Sequence, residues 1–293
     1  MQMSSVSMKV EEGSAGAVAS AQKNLVSMKV EEGSAGAVAD QADETATSPA
    51  PAWTPLQLLL AACRDAFGGP GTAPARADVS LIKGILDKIR PEDVHLSAKH
   101  KVFEANTDTS GRRWHPIITR TTIHKCRNFS IVIFFLPPGG VIPLHNHPGM
   151  TVFSKLLLGS LHAKSYDWAG PPVAGGSTPD DHPLRLAKLV LDADLRAPCD
   201  ALVLYPESGG NMHRFAAATA CAVLDVLGPP YSESENRDCT YYQDFPYSHH
   251  DPSETGDVHV TDEQNARLGW LKETDKPKDL KMYEVPYRGP PIL

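Results

Sequence analysis

Residues 139–150 read Gly-Gly-Val-Ile-Pro-Leu-His145-Asn-His147-Pro-Gly-Met, between the apolar runs FSIVIFFLPP at 129–138 and TVFSKLLLGS at 151–160. Side chains two apart in an extended strand point to the same face of a sheet. His145 and His147 can therefore present both imidazoles to one interior cavity. Imidazole suits iron, zinc, copper and nickel, so the pair predicts part of a metal site. The alternative interpretation is two partly exposed loop histidines.

A third candidate ligand ends the segment Tyr205-Pro-Glu-Ser-Gly-Gly-Asn-Met-His213, a glycine-rich turn between two apolar runs. A single histidine in such a position is more often structural. Across a β-barrel from an H-x-H pair, however, His213 is the best candidate to complete a set of three protein ligands. We therefore predict that His145, His147 and His213 bind one metal ion.

The distribution of short apolar runs predicts the fold class. From about residue 115, β-rich runs alternate with Pro/Gly turns, which is typical of an antiparallel sandwich or barrel. Upstream, Thr54 and Pro55 can begin a helix, and a second helical pattern follows. We predict a mainly β domain at 53–293, divided into a helical lead-in at 53–95, a barrel at about 115–245 and a C-terminal extension at 246–293.

The first fifty-two residues differ from the rest in composition. The sequence VSMKVEEGSAGAVA occurs at Val6–Ala19 and again, identically, at Val26–Ala39. A repeat that binds a partner is one interpretation, and a recent duplication in a tolerant tail is the simpler one. Two copies are too few for a solenoid, and Ala, Gly, Ser and Glu offer little to bury. We predict that residues 1–52 form a disordered tail.

Composition excludes several functional classes. The 293 residues carry a formal net charge of −7, and 22% of them are charged. This negative net charge does not favour binding to nucleic acid or to an anionic membrane. No apolar run approaches the roughly 20 residues of a membrane span. We expect an intracellular monomer, because no coiled-coil pattern, CxxC pair or secretory signal is present. The five cysteines are widely spaced: Cys63, Cys126, Cys199, Cys221 and Cys239.

Both histidine segments resemble the motifs of the cupin superfamily, which implies a double-stranded β-helix, or jelly-roll barrel. The segment 139–159, with a glycine at each end and the H-x-H pair between them, matches the first cupin motif, and residues 210–213 match the core of the second. Two positions depart from the pattern. Val152 stands where cupins commonly carry a glutamate ligand, and Ala217 stands where an asparagine is usual. The resemblance therefore implies three histidines without a carboxylate.

A closer resemblance extends over roughly residues 53–293. The runs PLHNHPGMTVFSKLLLGSLHAKSYDW, GGNMHRFAAATACAVLDVLGPPYS and RDCTYYQDFPYS are similar to plant cysteine oxidases. These enzymes belong with cysteamine dioxygenase among the thiol dioxygenases. The resemblance implies a non-haem Fe²⁺ cofactor with O₂ as co-substrate. Three neutral imidazoles leave the ion its full charge, which favours deprotonation of an incoming thiol.

The resemblance also implies the substrate and the setting. It implies proteins with an exposed N-terminal cysteine, which is converted to the sulfinic acid with both oxygens taken from O₂. It further implies oxygen sensing in the cytoplasm or nucleus, where this oxidation marks transcriptional regulators for the N-degron pathway. Low oxygen then lets those regulators accumulate.

Three further residues are candidates for catalytic roles. Asp225 interrupts an apolar strand, and a buried carboxylate is costly unless it is paired. We expect it to face a polar cavity and to orient either the substrate's α-ammonium or a ligand histidine, unless it lies at a strand end. The resemblance places Tyr231 near the iron as a hydrogen-bond donor, with Cys239 as a partner for crosslinking. His162 is a fourth cavity group or, more simply, a satisfied strand histidine.

Two alternative functions remain open at this level. A small-thiol dioxygenase that acts on cysteamine or free cysteine would share the metal chemistry and differ in the mouth of its site. A non-catalytic cupin, such as a sugar-binding, storage or scaffold protein, would be supported by loss of a metal histidine. Storage cupins also tend to carry two barrels and a signal peptide, and the sequence shows neither pattern. All three histidines are present here, which favours the enzyme.

Overall fold

The computed structural model describes residues 53–69, 71–97, 103, 116–172, 183–249 and 267–292. The predicted disordered tail at 1–52, with its duplication, lies outside these residues. Within the described part, two α-helices precede a set of β-strands that make up most of the fold.

Helices α1 (Pro55–Ala66) and α2 (Arg76–Leu86) come first, and a short 3₁₀ turn at Pro91–Val94 follows them. Helix α1 begins with a capping box. The Gln57 amide donates to Thr54 Oγ1 at 3.2 Å, and the Thr54 amide donates to Gln57 Oε1 at 2.8 Å. These bonds satisfy backbone groups that a helix start leaves unpaired. Neither of the two described α-helices is long and apolar enough to cross a lipid bilayer.

The strands form two facing sheets. One has the order β12-β1-β2-β9-β4-β7, and the other, β10-β11-β6-β5-β8-β3, closes because Tyr241 of β10 pairs with His145 of β3. Their bounds are β1 Ile118–Lys125, β2 Ser130–Leu136, β3 Val141–His145, β4 Thr151–Leu158, β5 Ser160–Pro172, β6 Leu184–Arg196, β7 Leu202–Leu204, β8 Met212–Ala217, β9 Cys221–Gly228, β10 Tyr241–Pro246, β11 Leu268–Thr274 and β12 Met282–Glu284. This architecture confirms the predicted mainly β cupin barrel with packed N-terminal helices.

Strand β9, in the middle of the first sheet, is buried along its whole length. Successive side chains of a strand point to opposite faces. Leu224 and Val226 belong to the same apolar core as Leu59 and Ile82 of the two helices. Asp225, between them, faces the cavity inside the barrel. The helices therefore cover the outside of this sheet, and their packing fixes the strand that carries Asp225.

Gly159 makes the turn between β4 and β5. Its φ is +84°, in the region that side-chain-bearing residues rarely adopt, and a Cβ there would overlap the carbonyl of Ala220. Only glycine fits both conditions. The glycine at the end of the first cupin motif is thus required by the turn that leads the chain from one sheet to the other.

The barrel does not end near residue 245. Strand β11, Leu268–Thr274, lies between β10 and β6, and Trp270 on it is 2% exposed. Strand β12 pairs in parallel with β1 and forms the edge of the first sheet. The predicted extension at 246–293 therefore supplies one strand to each sheet. Its run Leu-Gly-Trp-Leu-Lys-Glu-Thr turns polar after four residues, so its pattern did not identify it as a barrel strand.

Candidate active site

The structure brings the three predicted metal-ligating histidines together. His145 ends β3 and stands directly opposite His213 of β8, and His147 follows in the next turn. Their ring centroids are 4.7 to 4.9 Å apart, and one ring nitrogen from each lies within 4.8 Å of the others. All three residues are at most 8% exposed. The antiparallel pairing of β3 with β8 is what makes residues 68 positions apart in the sequence neighbours.

Backbone carbonyls orient two of these rings. His145 Nδ1 donates to the Pro143 carbonyl at 2.8 Å, and His147 Nδ1 donates to the Asn211 carbonyl at 3.0 Å. A carbonyl oxygen can only accept, so the proton sits on Nδ1 in both rings. Each ring then keeps the Nε2 lone pair for a metal. Such second contacts commonly fix the tautomer and the direction of metal-binding histidines.

Asn211 ties the histidine turn to the glycine-rich turn. Its Oδ1 accepts from the His147 amide at 3.0 Å, and its Nδ2 donates to the carbonyls of His147 and Tyr205 at 2.9 and 2.8 Å. Asp167 in turn accepts from the Gly210 and Asn211 amides at 2.8 and 3.0 Å. Asn211 is not among the site residues predicted from the sequence. Its place inside the segment Gly-Gly-Asn-Met-His was the available signal.

Burial keeps the three imidazoles neutral. Loss of hydration lowers the pKa of His145, lowers that of His147 to about 3, and lowers that of His213 well below its usual range. A neutral imidazole is the form that binds a metal. Val152, where a carboxylate ligand is common, is fully buried in an apolar cluster with Val132 and Leu227. The donor set therefore fits a divalent transition metal held by three neutral nitrogens.

The histidines form one wall of a cavity of about 230 Å³ between the two sheets. A larger groove of about 580 Å³ elsewhere on the surface contains none of them, so size does not identify the active site here. The apolar lining residues are Phe134, Ile142, Phe215, Val223, Leu227, Leu280 and Met282. The other polar lining residues are Arg120, Asp225, Tyr231, Cys239, Tyr241 and Lys276.

Asp225 lines this cavity and is 5% exposed. Its Oδ1 makes no hydrogen bond of ordinary geometry, and burial, partly offset by the nearby Ser154 hydroxyl, raises the pKa of the carboxyl to about 7. Because backbone carbonyls hold Nδ1 of His145 and His147, the carboxylate does not orient those rings. It is the one carboxylate among the described residues that line the cavity. Two predicted roles remain for it, contact with a substrate cation and contact with the ring of His213, which lines the same cavity.

Tyr231 and Cys239 stand at the mouth of the cavity. The Tyr231 hydroxyl donates to the Asn146 carbonyl at 2.8 Å, and its ring centroid is 5.7 Å from that of His147. Its single proton is therefore engaged by the backbone beside the metal ligands. The Cys239 side chain is within hydrogen-bonding reach of Tyr231 and also of Tyr241, and burial raises the thiol pKa. Tyr241, which sequence reasoning missed, is thus a second neighbour for this cysteine.

His162 lies away from the cavity. Its Nε2 is 2.8 Å from Asp192 and its Nδ1 is 3.0 Å from Asp194, both on the adjacent strand β6. The simpler of the two sequence interpretations, a satisfied strand histidine, is therefore the correct one.

Comparison with known proteins identifies the family. The model of the PCO_ADO family matches residues 85–292. Plant cysteine oxidases 1 and 2 of Arabidopsis thaliana are 48% and 47% identical to this chain, over 84% and 81% of its length and 83% of theirs. The 2-aminoethanethiol dioxygenase of Mus musculus is 30% identical over 77% of this chain and 90% of its own. A Klebsiella pneumoniae protein with a double-stranded β-helix domain overlaps 50% of this chain and 96% of its own, at 17% identity and a TM-score of 0.29. The chain belongs to the PCO_ADO family of thiol dioxygenases.

Proposed function

We propose that this protein oxidises the N-terminal cysteine of protein substrates to cysteine sulfinic acid, with Fe²⁺ held by His145, His147 and His213. The reaction balances as one thiol plus one O₂ giving one sulfinic acid. One observation carries the proposal: the three neutral imidazoles share a cavity with Asp225, a buried carboxylate whose Oδ1 makes no hydrogen bond of ordinary geometry and whose neighbour in the sheet is the Ser154 hydroxyl.

An N-terminal cysteine offers two groups that match this cavity. Its thiol can approach the histidines, and its α-ammonium can donate to Asp225 Oδ1. Burying a carboxylate without a partner raises the free energy of the folded protein. An ammonium that binds to this carboxylate removes part of that unfavourable free energy. A cysteine inside a chain has no ammonium and gains nothing from Asp225. The carboxylate therefore favours a thiol with a neighbouring ammonium over a cysteine inside a chain, and the assay with cysteamine and free cysteine separates the peptide from the small thiols.

The protein's own groups then hold the reacting atoms. Bound Fe²⁺ would supply a Lewis-acidic, redox-active centre that lowers the pKa of the thiol and reacts with O₂. The bonds from His145 to Pro143 and from His147 to Asn211 keep the ring nitrogens aimed at it. Phe215 and Val223 exclude water from the cavity wall and so strengthen the electrostatic attraction between Asp225 and the ammonium.

We further propose the biological setting that the similarity to plant cysteine oxidases supports. The substrates are transcriptional regulators with an exposed N-terminal cysteine, and their oxidation feeds the N-degron pathway as an oxygen-sensing step. The protein would act as a monomer in the cytoplasm or nucleus.

Mass spectrometry on a short peptide tests the chemical proposal. The iron-loaded protein is incubated in air with a peptide that begins with cysteine, with an anaerobic sample and the His213→Ala variant as controls. We expect a gain of two oxygen atoms on the peptide in air alone. Oxidation of cysteamine or free cysteine but not of the peptide would instead favour the small-thiol enzyme. No oxidation of any thiol by protein confirmed to hold iron would contradict the proposed activity.

A further inference from the structure

A second cavity, of about 190 Å³, also reaches the histidine site. It shares two lining residues with the first, His213 and Phe215 of strand β8. Its other walls come from strands β4 to β7 and the turn at Gly209–Gly210, whereas the first cavity is lined by β1, β2, β3, β9, β10 and β12. The two cavities therefore approach His213 from opposite ends of the sheets.

The lining of this second cavity is mainly aliphatic. The side chains that define it are Val190, Leu191, Leu202, Val203 and Leu204. The one charged group among its described lining residues is Lys164, and its ammonium lies 2.7 Å from the Asp244 carboxylate. Apolar cavities of roughly 150 Å³ in proteins stay dry and take up apolar guests such as xenon. Two serines, Ser154 and Ser165, also line the cavity, but aliphatic side chains make up most of its wall, which suits a small apolar molecule.

The cavity also reaches the surface of the described part of the protein. Val190, at its rim, is 38% exposed, whereas Leu204, deeper in, is 5% exposed. The exposed Val190 and the buried His213 line the same cavity, so the cavity lies between the surface and a metal-ligating strand. A peptide bound through Asp225 would occupy the first cavity, so a co-substrate that arrives after the peptide needs a second approach.

We propose that this second cavity is the entry path and transient binding site for dioxygen, separate from the mouth that admits the peptide. The inference rests on the proposed function, because it assigns the two substrates of that reaction to two different cavities. Dioxygen is small and apolar, which matches the size and the aliphatic walls. The arrangement lets oxygen reach the histidines while a bound protein substrate closes the first cavity.

The test fills the rim of the second cavity and leaves the first intact. Val190→Trp places a large side chain at a position that is already partly exposed, so the fold should tolerate it. Lys188→Trp is the matched control, since Lys188 is an exposed residue of the same strand and lines neither cavity. Xenon serves as the probe, detected in crystals under pressure or by xenon NMR, and this readout needs neither iron nor turnover.

We expect xenon in this cavity in the wild type and in Lys188→Trp, and none in Val190→Trp. With iron-loaded protein, Val190→Trp should raise the KM for O₂ severalfold while the KM for peptide, the iron content and the rate at saturating O₂ stay unchanged. Absence of xenon from the wild-type cavity would overturn the proposal. So would an unchanged KM for O₂ in a variant that excludes xenon. A wild type that oxidises no peptide in air would instead overturn the proposed function, and that measurement comes first.

Discussion

Asp225 and Ser154 stand opposite each other on strands β9 and β4, close enough for the Ser154 hydroxyl to lower the pKa of the Asp225 carboxyl, yet neither Asp225 Oδ1 nor Ser154 Oγ makes a hydrogen bond of ordinary geometry. Two such oxygens side by side are unusual, because buried polar groups are nearly always paired. The pair lies between the first cavity, which Asp225 lines, and the second, which Ser154 lines. The free protein thus keeps a hydrogen-bonding position unfilled, as expected of a site whose partner is the substrate.

The metal-free Asp225→Asn variant should be more stable than the wild type at high pH. The unfolded chain releases this proton near pH 3.8, whereas the folded protein retains it up to about pH 7. Wild-type stability therefore falls as pH rises through this interval, by up to about 4 kcal/mol, and the loss is complete above it. Asparagine has no proton to release. Chemical denaturation at about pH 5 and about pH 8 measures the difference, which should grow with pH.

Asp65→Asn is the control for this experiment, because Asp65 is an exposed residue of helix α1 and lines neither cavity. Its stability should depend on pH as that of the wild type does. The prediction is wrong if Asp225→Asn and the wild type lose stability in parallel as pH rises.

Asp225→Asn should also weaken binding of the peptide substrate. A hydrogen bond to a charged group contributes about 1.5–3 kcal/mol, so the KM for a peptide with a free N-terminal cysteine should rise about ten- to a hundredfold. An N-acetylated peptide lacks the ammonium, so its KM should be the same for the variant and the wild type. Iron content is measured in both proteins. An equal rise in KM for both peptides would mean that Asp225 does not bind the ammonium.

Asn211→Ala should loosen the metal site. Removal of the side chain breaks its bonds to His147 and Tyr205, and the loss of such outer contacts commonly lowers metal affinity about 10- to 100-fold. Competition with a chelator measures the affinity. Unchanged affinity in a folded variant would show that the Asn211 side chain does not support the site.

Leu59→Ala separates stability from metal binding. Leu59 of helix α1 is fully buried against the outside of the first sheet, so truncation should cost about 2–5 kcal/mol of folding free energy. It touches neither cavity. Its metal affinity at a temperature where it remains folded should match that of the wild type, which makes it the control for Asn211→Ala. A matching loss of affinity in both variants would attribute the effect to general destabilisation.

The sequence predicted the barrel and the three histidines well, for physical reasons. Alternation and turn residues reveal short strands, and the H-x-H pair needs only the period of a strand to place two rings together. The convergence of His213 on that pair depended on the prediction of a barrel, because no local pattern shows that β8 pairs with β3.

Other features lay beyond sequence reasoning because they depend on contacts between distant residues. Strand β11 joins the barrel through pairing with β6 and β10. Asn211 supports the site through hydrogen bonds to His147, and an asparagine in the sequence does not by itself indicate such bonds. The second cavity exists because β7 and β6 leave space next to His213, which only the assembled sheets reveal.

The most direct test of the central claim is the origin of the oxygen atoms on the product. Iron-loaded wild type and His213→Ala are incubated under ¹⁸O₂ with a peptide that begins with cysteine, and the sulfinic acid is analysed by mass spectrometry. The account predicts that both added oxygens carry the label in the wild type and that His213→Ala forms no product. Product whose oxygens come from water, or equal product from His213→Ala, would contradict it.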